Sequence, residues 1–290
     1  MKSLRPPRSI LSPDFENSIE NAPIGIFDSG VGGLSVAAHI RKELPSEKLL
    51  YIADSAYLPY GNKSDAEIEA RSQLMTEYLV SRGIKALVVA CNTATAAAIE
   101  GLRALYTFPI IGMEPAVKPA VALTRNGIIG VLATTGTLNS EKFYRLQLTY
   151  GQDAKIITQA CPGLVELIES GSLEDIETEE LAAEYIGKLL SAGADTLVLG
   201  CTHFPFLLPL FRKLAGPEIE ILDTGIPVSR QLRRQLEKRK LVATQKNRGG
   251  LEILTTGEIE TARTRITKLW GSRVPISALE EKSLKLARFS

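Results

Sequence analysis

Apolar residues along this chain fall into short unbroken runs, separated by longer stretches in which they recur every three or four positions. The runs are Ile24-Gly-Ile-Phe27, Leu49-Leu-Tyr-Ile-Ala53, Ala86-Leu-Val-Val-Ala90, Phe108-Pro-Ile-Ile-Gly-Met113, Ile128-Ile-Gly-Val-Leu-Ala133, Ala154-Lys-Ile-Ile-Thr-Gln159, Thr196-Leu-Val-Leu199, Ile219-Glu-Ile-Leu222 and Leu251-Glu-Ile-Leu254. Runs that are apolar throughout, rather than alternating, read as strands buried on both faces, as in a parallel sheet. Between them the helical period predicts helices over 34–44, 65–82, 140–150, 164–169, 177–192, 228–240 and 258–270. Two more are expected, one after Cys91 capped by Asn92 or Thr93 and one opening at Glu114-Pro115. Strands alternating with helices predict an α/β chain of doubly wound, mainly parallel sheets.

Two of the runs end alike. Ala90-Cys91-Asn92-Thr93 and Gly200-Cys201-Thr202-His203 both pass from a buried strand into a cysteine and then into hydroxyl, amide or imidazole side chains. Ligands collect at the carboxyl ends of strands in open α/β sheets, so both thiols stand where chemistry is expected. One such cysteine is most simply packing. A matched pair argues for function. The strand at Phe27 runs into Asp28-Ser29-Gly30-Val31-Gly32-Gly33, and the strand at Ala133 runs into Thr134-Thr135-Gly136-Thr137. Each half therefore opens with a glycine or hydroxyl loop and later presents a cysteine strand, which predicts two similar lobes with a cleft between them. The expected division is a flexible arm at 1–22, a discontinuous first lobe at 23–114 plus 224–271, a second lobe at 115–223, and a tail at 272–290.

The glycine loop invites a nucleotide reading, with Asp54 against a ribose. Ser35 stands where the third glycine of the dinucleotide fingerprint would fall, and no Gly-Lys-Ser/Thr follows, so this is a minor alternative. Charge adds little: 34 basic side chains against 33 acidic provide no field for nucleic acid or a membrane surface. The basic stretch Arg230, Arg233, Arg234, Lys238, Arg239 and Lys240 reads as a solvated helix face. Three cysteines without framework spacing suit reduced thiols in a cytoplasmic setting, with Cys161 assigned to packing. The first twenty residues, with Pro6, Pro7 and Pro13, lack the apolar core of a secretory signal.

Thiols facing each other across a cleft suit inversion at an amino-acid α-carbon, where one sulfur abstracts the proton and the other returns one to the opposite face. A free thiol titrates near about 8.5, within reach of neutral pH once its surroundings help. This chemistry needs no metal or redox cofactor. Asp28 and His203 are the acid–base candidates beside the two thiols, while His39, amid Ala37, Ala38 and Ile40, reads as packing or surface. Zinc on Cys201 and His203 is a weak alternative, because Cys-x-His is tighter than usual ligand spacing. Glu166 and Glu169 share a helical face, and Glu166 reads as solvated.

The segments FDSGVGGLSV (27–36), ADSAYLPYG (53–61), VVACNTATA (88–96) and LVLGCTHFPFL (197–207) resemble, in order, the four signature segments of the glutamate racemase family. The resemblance implies a cofactor-independent enzyme that supplies D-glutamate for peptidoglycan. It implies that Cys91 acts on D-glutamate and Cys201 on L-glutamate, assisted by Asp28 and His203, with Asp54 and Glu169 as further acidic positions. Substrate contacts would come from Asp28, Ser29, Tyr60, Gly61, Asn92, Thr93, Thr202 and His203. The implied partners are the small-molecule substrate and a second copy in a homodimer, with no nucleic acid and no membrane. Tyr57, Thr95 and Phe204 depart from the residues common in the family. Racemisation of aspartate or another amino acid, and a non-catalytic amino-acid-binding module, are the alternatives.

Overall fold

The computed structural model describes residues 19–245 and 247–287. Of the expected arm it includes only the end, with a 3-10 turn at Ile19–Asn21; residues 1–18 lie outside the described residues. Among the described residues ten strands form two sheets whose pairings are all parallel. The first sheet has the order β10-β9-β2-β1-β3-β4, where β1 is Ile24–Asp28, β2 Leu49–Ala53, β3 Ala86–Val89, β4 Ile110–Ile111, β9 Leu251–Thr255 and β10 Ile276–Ala278. The second has the order β6-β5-β7-β8, with β5 Ile128–Ala133, β6 Lys155–Ala160, β7 Thr196–Leu199 and β8 Glu220–Leu222. The second sheet thus holds the middle of the chain, and the first is built from the segments on either side of it.

Helices cover both faces of each sheet. In chain order they are α1 Leu34–Glu43, α2 Asp65–Ser81, α3 Asn92–Leu105, α4 Val117–Leu123, α5 Thr135–Leu138, α6 Glu141–Tyr150, α7 Leu164–Ser170, α8 Ile176–Ser191, α9 Leu208–Ala215, α10 Gly225–Lys238, α11 Ile259–Trp270 and α12 Glu281–Ala287. Every residue of β1, β2, β3 and β7 is buried, which is why these runs are apolar without alternation. Their side chains still point alternately to opposite faces: Ala86 and Val88 join one core cluster, Leu87 and Val89 the other. Helix ends follow local chemistry. Ser64 and Glu67 close a reciprocal capping box on α2, and Gly171 and Gly271 end α7 and α11 at φ of 87° and 78°, a region that favours glycine.

Four expectations change. The strand expected from Phe108 to Met113 shrinks to Ile110–Ile111: Pro109 has no N–H to give a ladder, and the Met113 N–H donates to Thr95 Oγ1 (2.9 Å) instead. The helix expected at Glu114-Pro115 opens at Val117. Neither Asn92 nor Thr93 caps α3. Cys91 does, its sulfur accepting the Ala94 N–H at 3.4 Å. The segment after 271 supplies β10 and α12, with Leu279 and Leu284 buried in the core beneath α2 and α3. The basic face of α10 is exposed as expected, and its buried side carries Val228, Leu232 and Leu236.

Candidate active site

The carboxyl ends of β1, β3, β5 and β7 converge where the two sheets meet, and a cavity of about 80 Å3 lies among the loops that extend from them. Both Cys91 and Cys201 line it, one from each sheet, and all three cysteines are free thiols. Ser29, Tyr60, Gly61, Asn92, Thr93, Thr202 and His203 line the same cavity. The sequence placed these loops on one edge of their sheets, and the fold turns the two edges toward each other.

Behind Cys201 stands a relay. His203 Nδ1 lies 3.8 Å from the Cys201 sulfur, and its Nε2–H donates to Glu169 Oε1 at 2.8 Å. Glu169 is anchored in turn by the Val31 N–H (2.7 Å) and by Arg265 (3.3 Å). Burial pulls the imidazole down, but its hydrogen bonds to Cys201 and Glu169, and their charges, outweigh that and hold His203 well above its ordinary 6.5. Burial also pushes Glu169 up, yet the His203 hydrogen bond and charge leave it below the usual carboxylate value. His203 thus places a positively charged ring beside the Cys201 sulfur.

The other thiol is held differently. Cys91 donates to Ser29 Oγ at 3.8 Å, and its sulfur accepts the Ala94 N–H at the start of α3. Burial first, and then the Asp28 charge, push this thiol far up. Asp28 is fully buried; its Oδ2 accepts the Gly33 N–H (2.9 Å) and the Gly30 N–H (3.3 Å), while Oδ1 has no partner among the described residues. Burial lifts its carboxyl from 3.8 to about 6 despite the opposing charge of His203. The two sulfurs therefore sit in unlike fields, one beside a cation and one beside a carboxylate.

Three site candidates, Asp28, Asp54 and Glu169, lie behind the cavity wall. Asp54 is fully buried and has all its capacity engaged: Arg71 grips it through two bonds (2.8 and 2.7 Å), and Tyr60 Oη (2.7 Å) and Thr256 Oγ1 (2.8 Å) donate to it. It anchors Tyr60 and does not line the cavity. Glu169 likewise reaches the cavity only through His203. Glu166 is exposed, as expected, at the cavity rim. Cys161, assigned to packing, does pack in the second lobe, but it also lines the cavity, and its thiol is pushed up by burial and then by the Cys201 charge. His39 sits half-buried on α1, 3.8 Å from Asp223.

The glycine loop turns its amides onto carboxylates, Gly30 and Gly33 donating to Asp28 and Val31 to Glu169, and it makes room for the opposite lobe. A Cβ at Gly32 would lie within 2.7 Å of three ring atoms of His203, and one at Gly30 would collide with Glu169. Ser35 Oγ donates to the Thr202 carbonyl (2.8 Å), a further tie between lobes. Thr134 and Thr137, not singled out as site residues, also line the cavity, and their hydroxyls lie 3.0 and 3.3 Å from Thr93 Oγ1. Their one sequence signal is the hydroxyl-rich loop after β5. The three departures have structural partners: the Tyr57 ring lies under Arg71 (4.7 Å), Thr95 bridges Val89 and Met113, and Phe204 packs edge-on to Phe211 in the core. Among the described residues, no group of three or more His, Cys, Asp or Glu is gathered so as to hold a metal.

Paired thiols on an interlobe cleft define a class of racemases. Residues 34–227 match the Asp/Glu/Hydantoin racemase family, and the chain belongs to that family and is an isomerase. The similar proteins narrow this class. A glutamate racemase from Ectopseudomonas mendocina is 52% identical over 256 residues, spanning 88% of this chain and 97% of that protein. A glutamate racemase isoform from Bacillus anthracis superposes with a TM-score of 0.84 at 31% identity, covering 90% of this chain and 98% of its own. Glutamate racemase from Francisella tularensis, solved with D-glutamate, superposes at 0.79 with 27% identity, covering 90% and 98%.

Proposed function

We propose that this protein interconverts L- and D-glutamate by moving the α-proton between Cys91 and Cys201. The observation that supports this most is that the two free thiols come from different sheets and line one cavity. In the L to D direction the Cys201 thiolate, balanced by His203, takes the α-proton, and the Cys91 thiol delivers a proton to the opposite face of the planar carbanion. Burial and Asp28 keep Cys91 protonated, as a donor must be. The reverse direction swaps the roles, with Asp28 beside the sulfur that must then lose its proton. Glu169 acts through His203, and Asp54 acts through Tyr60.

The substrate's two carboxylates and its ammonium group are assigned to Asp28, Ser29, Tyr60, Gly61, Asn92, Thr93, Thr202 and His203. Asn92 supports this assignment: its amide oxygen and nitrogen are both buried without a partner among the described residues, a costly arrangement unless a ligand meets them. The product would feed peptidoglycan synthesis in the cytoplasm. Among the described residues no helix is long and apolar enough to cross a membrane. We assign the protomers to a homodimer that binds no nucleic acid, and the chain to an arm that ends near 22, a first lobe at 23–114 plus the segment from 224 that includes β10 and α12, and a second lobe at 115–223.

The test is circular dichroism of L-glutamate and, separately, L-aspartate during incubation with the purified protein in deuterated water. Loss of the glutamate signal with deuterium entering the α-position, and a slower or absent change for aspartate, supports the reading. A Cys91→Ser or Cys201→Ser protein that keeps full turnover refutes it.

A further inference from the structure

The end of the chain, expected to be a tail, is wired to the cavity. Glu281, in the first turn of α12, accepts a bond from Arg71 Nη1 at 2.5 Å, although 210 residues separate them. The other two nitrogens of the same guanidinium hold both oxygens of Asp54 at 2.8 and 2.7 Å. Asp54 then accepts the Tyr60 hydroxyl at 2.7 Å, and the Tyr60 ring lines the cavity. Each link has one geometry available to it. A fork-shaped guanidinium fixes the plane of the carboxylate it grips, and a buried carboxylate fixes the phenol that donates to it. The ring of Tyr57 lies against Arg71 and completes the cage, while Thr256, from the loop after β9, donates to Asp54 Oδ1.

The loop that this chain of bonds anchors is itself a seam between lobes. Gly61, next to Tyr60, faces Thr134 of the second lobe, and a Cβ at Gly136 would lie 3.1 Å from the Gly61 carbonyl. A small displacement of Tyr60 therefore moves the cavity wall against the hydroxyls of Thr93, Thr134 and Thr137. Leu284 and Leu279 bury α12 and the strand before it against the same core that holds Ile68 and Met75 of α2, so the helix presents Glu281 to Arg71 at a fixed height.

We propose that Glu281 and Arg71 are positioning residues of the active site, through which helix α12 sets the place of Tyr60 and hence the fit of the substrate. The proposal rests on the reading of the cavity as a glutamate site. Glu281 is half-exposed and removing its charge leaves the buried Arg71–Asp54 pair intact, so Glu281→Gln is expected to fold. We expect it to raise both KM and the calorimetric Kd for glutamate about threefold to tenfold, with kcat within about twofold and Tm within about 2 °C of the parent.

The discriminating measurement is the cycle with Tyr60→Phe, which cuts the chain at its cavity end. Transmission through the network requires that Glu281→Gln raise Kd in the parent and add nothing in the Tyr60→Phe background. An unchanged Kd in the parent, an equal factor in both backgrounds, or a fall in Tm with kinetics intact each overturns the proposal. Turnover and binding separate the two readings. A parent protein that binds glutamate without racemising it sinks the proposed function, and the Kd cycle still decides the tether.

Discussion

Gly32→Ala distinguishes clearance for His203 from a phosphate cradle as the reason for the glycine at this position. The added methyl would lie within 2.7 Å of Nδ1, Cε1 and Cγ of His203, whereas ordinary contact begins at 3.4 Å. The imidazole has little room to retreat, since His203 is 1% exposed and its Nε2 is held by Glu169. Relief requires a relative shift of about 1 Å between the loop and the ring, which separates Nδ1 from the Cys201 sulfur. A misplacement of about 1 Å costs on the order of 100-fold in rate, and overpacking a dense site costs about 1–3 kcal/mol of stability. The assay is kcat/KM for glutamate with urea unfolding alongside, and Gly187→Ala is the control. Gly187 lies inside α8 with nothing within 4 Å of its added methyl, so that variant is expected to gain about 0.5–1 kcal/mol and keep its activity. A Gly32→Ala protein that retains kcat/KM within about threefold of the parent would refute the clearance argument, because a shift of about 1 Å at the thiol–imidazole contact could not be so mild.

Glu169→Gln is expected to lower kcat/KM about 10–100-fold by removing a charge-assisted bond from His203. Enantiomers have equal free energy, so the loss must be the same in both directions; a loss confined to one would show that something other than racemisation is being measured. Asp28 gives a pH signature, because its folded value of about 6 lies above the ordinary 3.8. Its contribution to stability is complete below about pH 4 and is lost as pH rises through about 6, when the buried carboxyl must ionise. Two pH units correspond to about 3 kcal/mol, so the unfolding free energy of Asp28→Asn should gain by about that much relative to the parent between about pH 4 and about pH 8. A pH-independent difference would count against the buried carboxyl. Lys85 and Glu47 form a buried ion pair at 2.5 Å far from the cavity, so Lys85→Met should cost about 3–5 kcal/mol by stranding the carboxylate. A loss under about 1 kcal/mol in urea unfolding would refute the expected cost of breaking this buried pair.

Strand and helix identity were legible wherever local signals agreed. The core strands are apolar on both faces because both faces are covered, and α2, α8, α10 and α11 follow the apolar period of their segments. The signals failed where one residue had two jobs. Ile276–Ala278 is too short to stand out, and it becomes a strand because β9 offers it a partner edge. Asp54 had the composition of a catalytic acid, but only the fold shows Arg71 and Tyr60 occupying it. Cys161 lacked a twin and so looked inert, yet the second sheet delivers it to the same cavity.

The chain alone determined that two cysteine strands would end in similar loops at the carboxyl edge of parallel sheets, because periodicity, burial and turn chemistry act over a few residues. The surroundings of each sulfur were decided only by the tertiary structure. Glu169 reaches His203 across 34 positions, Val31 reaches Glu169 across 138, and Glu281 reaches Arg71 across 210. Charge and desolvation act through space, so the relay at Cys201, the acidic field at Cys91 and the need for glycine at position 32 arise only when the two lobes meet.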